Sequence, residues 1–151
     1  MELKNSFFLV LMLVFIVSCK GDDDSCTPGI VEITSLEAEY GCVNTKNEME
    51  INLSDDFVII TSQSDFDSQV TGSCQPDINF SIYDLVIGKK ALTSGNTSII
   101  YELLRNCDTQ IQTLTVTFVQ NATTEAPNLT YHALIPKLEN GQVLEVDIIV
   151  N

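Results

Sequence analysis

The sequence predicts an α+β fold, a predominantly antiparallel β-sheet with one short helix, stapled by disulfides. Three observations lead there. Apolar and polar residues alternate over long runs, one segment combines a helix cap with helical spacing, and the cysteines beyond the N-terminal segment are even in number. With 151 residues the chain suits one domain, because a second would lack the residues for its own core. Seven Lys and Arg against 21 Asp and Glu give a formal charge of -14, which repels phosphate backbones and argues against nucleic acid as a partner. A hydrophobic share of 44% with 19% charged residues belongs to a globular chain.

The elements follow in order. Residues 30–36 read as a strand, residues 48–53 alternate weakly, and Phe57, Val58, Ile59 and Ile60 form a short apolar strand. Next, Ser62 or Ser64 can cap a helix whose first turn carries Asp65 and Asp67, while Phe66 and Val70 share a face at i,i+4. Gly72 and Pro76 stop it. Residues 82–87 and 97–104 read as strands, separated by a turn-rich stretch from Gly88 to Asn96. Residues 112–119 alternate most cleanly, with Leu114, Val116 and Phe118 opposite Thr113, Thr115 and Thr117. Strands over 129–135 and 143–150 flank Asn140-Gly141, a strong hairpin signal. The last three strands are therefore expected to form an antiparallel meander.

The N-terminus reads as an address. The unbroken apolar run from Phe7 to Val17 follows a polar start with Lys4, and it is shorter than the about 20 residues that cross a bilayer. That pattern is a secretory signal over residues 1–18. Ile16-Val17-Ser18-Cys19 resembles the lipobox of bacterial lipoproteins, which implies acylation of Cys19 and removal of the signal before it. Several acyl chains give stable anchoring where one gives only marginal binding. Lys20, Asp22, Asp23 and Asp24 then resemble the acidic export signal of Bacteroidota lipoproteins, which implies the outer face of the outer membrane. The plain alternative is a solvated linker that holds the domain off the lipid. Residues 19–29 form this lipidated tether, and residues 30–151 a single β-rich domain.

With Cys19 assigned to lipid, Cys26, Cys42, Cys74 and Cys107 remain, an even set in an exported chain. Two disulfides are expected, and four cysteines allow three connectivities. Cys26–Cys42 with Cys74–Cys107 is favoured, since the first would staple the N-terminal segment to the strand it precedes. A zinc site would need C-x2-C spacing, and only His132 is available to help, so no metal or cofactor is expected.

Candidate chemistry is sparse. His132, the only histidine, lies mid-strand on the face opposite Tyr131 and Ala133, and any His-based acid–base mechanism rests on it alone. No nucleophile elbow, zinc-protease motif or phosphate loop occurs. The carboxylate pairs Asp55-Asp56 and Asp65-x-Asp67 lack the frame of a calcium loop and suit a turn and a helix start. Five N-x-[ST] triplets, at Asn52, Asn79, Asn96, Asn121 and Asn128, suit a β surface rich in Ser, Thr and Asn.

Residues 58–66, a strand running into SQSDF, residues 76–85 (PDINFSIYDL) and residues 129–137 (LTYHALIPK) resemble a group of Bacteroidota lipoproteins, and the whole arrangement is also similar to the C-terminal domain of PrcB-type protease-complex subunits. The likeness covers about residues 57–150. The sequence departs from the lipoprotein group at Ile78, inserted between Asp77 and Asn79, and from the PrcB-type domain at Thr93-Ser94-Gly95-Asn96, which lacks the glycine pair and tyrosine of the corresponding element. The resemblance implies association with a protease and supplies no catalytic residue. The expectation is a membrane-anchored surface lipoprotein that acts as a non-enzymatic interaction module. Its partner would be an envelope protein such as a protease or a transporter. Turn segments 88–96 and 121–128 would carry the contacts. The alternative is a lipoprotein that binds a glycan or small nutrient, for which Tyr40, Tyr83, Tyr101 and Tyr131 are the only tyrosines to line a groove and the chain has no Trp.

Overall fold

The computed structural model describes residues 26–53 and 56–151, so the expectations that fall on the leader, Cys19, Lys20, Asp22, Asp23, Asp24 and Asp55 lie outside the described residues. The elements run β1 (Gly29–Val31), α1 (Leu36–Tyr40), α2 (Thr45–Glu48), β2 (Met49–Ile51), β3 (Phe57–Ile60), α3 (Gln63–Gln69), β4 (Val70–Gly72), β5 (Tyr83–Ala91), β6 (Asn96–Asn106), β7 (Ile111–Gln120), β8 (Asn128–Pro136) and β9 (Val143–Val150). Strands β1-β6-β7-β9 form one sheet, β3-β5-β8 a second, and β2-β4 a two-stranded ribbon. The fold is β-rich with few helices, as the alternation predicts. Among the described residues there are three short helices where the sequence suggested one.

The layers follow from which strands have a wet face. On β7 the apolar set Leu114, Val116 and Phe118 is buried, and the threonines between are half-exposed. On β5 and β8 both faces are buried. Leu129, Tyr131, Ala133 and Ile135 of β8 pack with Val86 of β5 against Leu103, Leu114, Phe118 and Leu144, which closes a sandwich between the two larger sheets. The opposite face of the three-stranded sheet, with Leu85, Ile87 and Leu134, is covered by Leu36, Met49, Ile51, Phe66 and Val70. The helices and the β2-β4 ribbon thus form a third layer on the middle sheet.

The cap and the inward face of α3 are as the sequence suggests, while the helix ends at Gln69 and Val70 already begins β4. Ser62 Oγ accepts from the Asp65 N–H at 3.2 Å and donates to the Asp65 carboxylate at 2.7 Å, and Phe66 and Val70 are both buried. Other readings are corrected. The expected first strand ends at Val31, and Ser35 instead caps α1, which closes on Gly41 in the left-handed region at φ 70. Strand β5 runs on through Gly88, Lys89 and Lys90, so the turn comprises only residues 92–95. A charge does not end the strand here because Lys89 is ion-paired to Glu50 on the covering ribbon.

The C-terminal meander is also overturned. Strand β9 pairs with β7 in parallel, and β8 lies in the other sheet. A two-residue hairpin of the primed kind needs positive φ at both central residues. Only Gly141 has it, at φ 89, in the turn closed by the Gln142 N–H to the Glu139 carbonyl at 3.1 Å. That turn hands the chain from one sheet to the other instead of folding it back.

The disulfides join Cys26 to Cys107 and Cys42 to Cys74, which replaces the pairing favoured from sequence. The reason is non-local. Antiparallel pairing sets Gly29 opposite Arg105, so the residues before β1 arrive beside those after β6. Cys42 follows α1 and Cys74 follows β4, and both belong to the covering layer. A peptide map of unreduced protein is expected to show these two linked pairs; a Cys26–Cys42 peptide would refute the register of β1. Gly88 lies across from Tyr131, and a Cβ there would run into the Tyr131 ring and come within 2.7 Å of the Asp56 carbonyl. Gly88→Ala is expected to cost about 1–3 kcal/mol in urea unfolding through overpacking. An unchanged midpoint would contradict the packing of Tyr131, which meets Phe118 edge-on with ring centroids 5.9 Å apart.

Candidate functional site

His132 is where residues distant in sequence converge. Alternation along β8 turns Leu129, Tyr131 and Ala133 into the sandwich and aims Thr130 and His132 at the helical layer. His132 is only 3% exposed. Its Nε2 lies 2.7 Å from Thr45 Oγ1, at the start of α2, and 3.3 Å from the Glu37 carboxylate on α1. Thr45 in turn donates to Glu37. The backbone N–H of His132, on the outer edge of β8, donates to the Tyr101 hydroxyl of β6 at 3.2 Å. These groups line a pocket of about 420 Å³ together with Ser35, Asn44, Lys46 and Ile99.

The electrostatics of the cluster are set by its partial burial. Burial pushes the Glu37 carboxyl up, but hydrogen bonds from His132 and Thr45 and the charge of the imidazole outweigh it and bring it down to about 2. Burial pushes the Tyr101 hydroxyl well up, so it stays protonated while it accepts from His132. In a hydroxyl–His–acid relay the acid holds the ring nitrogen opposite the one facing the hydroxyl. Here Thr45 and Glu37 both meet Nε2, and Nδ1 is buried with no partner among the described residues. What the arrangement does do is tie α1 and α2 to β8.

The remaining sequence candidates have plain structural duties. Asp65 belongs to the α3 cap, Asp67 accepts from Gln63 Nε2 at 2.8 Å, and Asp56 accepts from the Phe57 N–H at 2.8 Å. Among the described residues no group of three or more His, Cys, Asp or Glu is placed to hold a metal. Two N-x-[ST] triplets have a local explanation. Asn79 Oδ1 accepts from the N–H and hydroxyl of Ser81, and Asn121 Oδ1 does the same for Thr123, so the Ser or Thr two residues on closes an Asx turn. Among the described residues no helix is long and apolar enough to cross a membrane.

The two expected contact segments do come together. The Gly95 N–H donates to the Thr123 carbonyl at 3.3 Å, the Asn121 N–H to the Gly95 carbonyl at 2.9 Å, and the Leu92 N–H to the Pro127 carbonyl at 2.9 Å. Both segments cross from one sheet to the other, and they form one end of the sandwich. At the other end sit the β6–β7 turn and the Cys26–Cys107 disulfide. Sequence reasoning named His132, and Tyr101 only as a tyrosine that could line a groove, and missed Glu37 and Thr45. Thr45 is 87 positions away, and no short-range spacing announces it. Compared with known protein families, curated proteins and solved structures, the chain matches none.

The depressed Glu37 carboxyl gives a pH prediction. A carboxyl whose folded value lies below its unfolded value of about 4.3 adds stability above that value, and the gain is lost as pH falls through the folded value. Stability should therefore fall more steeply in the wild type than in Glu37→Gln between about pH 4.5 and about pH 2, the latter being the folded value of Glu37. Parallel unfolding curves for the two proteins across that window would show that Glu37 is not held by the cluster.

Proposed function

We propose that the protein is a lipid-anchored component of the cell surface, held to the outer membrane through Cys19, that acts as a non-enzymatic interaction module for another envelope protein such as a protease or a transporter. One observation carries this reading, the polarity of the sandwich. The chain enters at Cys26, pinned to Cys107 at one end, while segments 92–95 and 121–127 lie at the opposite end. Strand β6 connects the two ends with 11 residues, roughly 35 Å at the rise of an extended strand. A tether leaving from the Cys26 end would leave the paired loops facing away from the lipid. Hydrogen bonds between the loops hold them in one shape, which lowers the ordering cost of docking. At His132 the carboxylate and the hydroxyl share one ring nitrogen, which supports a fastening duty for that cluster over catalysis.

Crosslinking and pull-down from native membranes with the tagged full chain should capture one stoichiometric partner. The double variant Thr124→Arg with Glu125→Arg, at exposed positions of the longer loop, should reduce capture about tenfold, equivalent to 1.4 kcal/mol, with an unchanged melting temperature. Equal capture by wild type and variant, or no partner above background, would overturn the reading.

A further inference from the structure

The Cys26 end of the sandwich holds a second pocket, of about 320 Å³, which the interaction reading does not use. Its walls include Arg105 of β6, Gln110, Gln112 of β7, and Glu139, Asn140 and Gln142 of the crossover to β9, with the Cys26–Cys107 disulfide alongside. Arg105 and Gln112 are direct partners in the β6–β7 ladder, two positions beyond the pair Leu103 and Leu114. That pair is fully buried in the sandwich core, so the period of two turns Arg105 and Gln112 inward as well.

Gln112 is 1% exposed, and the hydrogen bonds fix which way its amide points. The Glu139 N–H donates to Gln142 Oε1 at 3.1 Å, so that atom is an acceptor. The Gln112 nitrogen must then be the group that donates to the same oxygen, at 2.9 Å. Gln112 Oε1 is left buried with no donor among the described residues, and Arg105 Nε–H is buried there with no acceptor. An unmatched buried polar atom destabilises the fold that holds it. Two of them, of opposite sense, on facing residues of one cavity point to a group that serves both.

The chemistry of that group is narrow. A carboxylate accepts from Arg105 but has no proton for Gln112 Oε1, and an ammonium donates to Gln112 but cannot accept from Arg105. A hydroxyl, of water or of a ligand, does both at once, and a ring hydroxyl does so while its ring fills the rest of the cavity. Gln110 and Asn140 add amides, each with donors and an acceptor, which complement further hydroxyls nearby. The formal charge of -14 disfavours an anion. The cavity, about 320 Å³, stands at the low end of the about 300–1,000 Å³ range of ligand pockets, room for one ring and not for an extended chain.

We propose that this pocket binds one uncharged saccharide unit, with a ring hydroxyl bridging Arg105 Nε–H to Gln112 Oε1. The site lies at the end away from the paired loops, so it stands independently of the interaction reading. Its test is saturation-transfer NMR on the full chain in detergent with a panel of methyl hexosides at millimolar concentration, and acetate as competitor. At least one hexoside should bind, resist acetate, and weaken about tenfold in Arg105→Lys, which keeps the charge and removes the Nε–H donor. Asn140→Ala, on an exposed turn, should weaken the same hexoside without changing the melting temperature. No hexoside binding, hexoside binding indifferent to both substitutions, or displacement by acetate would each overturn the proposal.

Discussion

The middle sheet has no wet face at its heart, and most of the architecture answers to that. Strand β8 is buried along seven consecutive residues and β5 along six, so apolar residues on both sides must be covered. The four-stranded sheet covers one side. The other is left to short helices and a two-stranded ribbon, elements too small to be stable alone. They hold because the polar residues on that side of β8 are aimed at them. Thr130 donates to the Met49 carbonyl at 2.6 Å, and His132 engages Thr45 and Glu37. Lys89 of β5 reaches Glu50. Each bond satisfies a buried group and at the same time fixes the register of the covering layer. The Cys42–Cys74 disulfide then closes the layer upon itself.

What could be read from the sequence was whatever is decided within a few residues. The β7 alternation and the Ser62 cap are such features, and both are as expected. So is the face of His132, because a period of two needs only the strand to exist. Its burial was not legible, since that depends on α1 and α2 lying across it. The failures share this cause. Lys89 and Lys90 look like a turn until Glu50 is seen beside Lys89. Asn140-Gly141 looks like a hairpin until only the glycine proves to have positive φ. Cysteine pairing followed the β1–β6 ladder, a contact between residues far apart in the chain. Gln112 sat in a clean alternating run as an ordinary polar residue, and nothing local marked it as almost fully buried.

The same topology gives the domain two ends of different character. Besides the long passage from β1 through the covering layer to β3, three short crossovers join the sheets: segments 92–95, 121–127 and 137–142. The first two meet at one end and hydrogen-bond to each other through their backbone groups. The third lies at the Cys26 end and is not zipped in this way. There the ladder runs out of apolar pairs at Leu103 and Leu114, and the next inward pair is Arg105 with Gln112. A sandwich mouth closed by a polar pair must hold a cavity or a network, and here it holds both, a cavity whose walls include amides, Glu139 and the disulfide, with Gln112 bonded to Gln142.

The distribution of cations sharpens this contrast. The chain has seven Lys and Arg against 21 carboxylates, so an acidic partner for any cation is abundant. Lys89 takes Glu50, and Lys137 reaches Asp84, a carboxylate only 2% exposed that also accepts from the Leu138 N–H at 2.9 Å. In each pair the fold has buried one of the two charges, Lys89 itself in the first and Asp84 in the second, which is where an ion pair is most needed. Arg105, the sole arginine, is used differently. Its Nε–H is buried without a partner beside a glutamine whose Oε1 is also without one among the described residues. A planar guanidinium placed so that one of its fixed donors is buried and unmatched is poorly explained by stability, since a leucine there would extend the core at lower desolvation cost. Glu139 lines the same pocket, yet the Arg105 Nε–H has no acceptor among the described residues, which leaves a donor for something that arrives from outside.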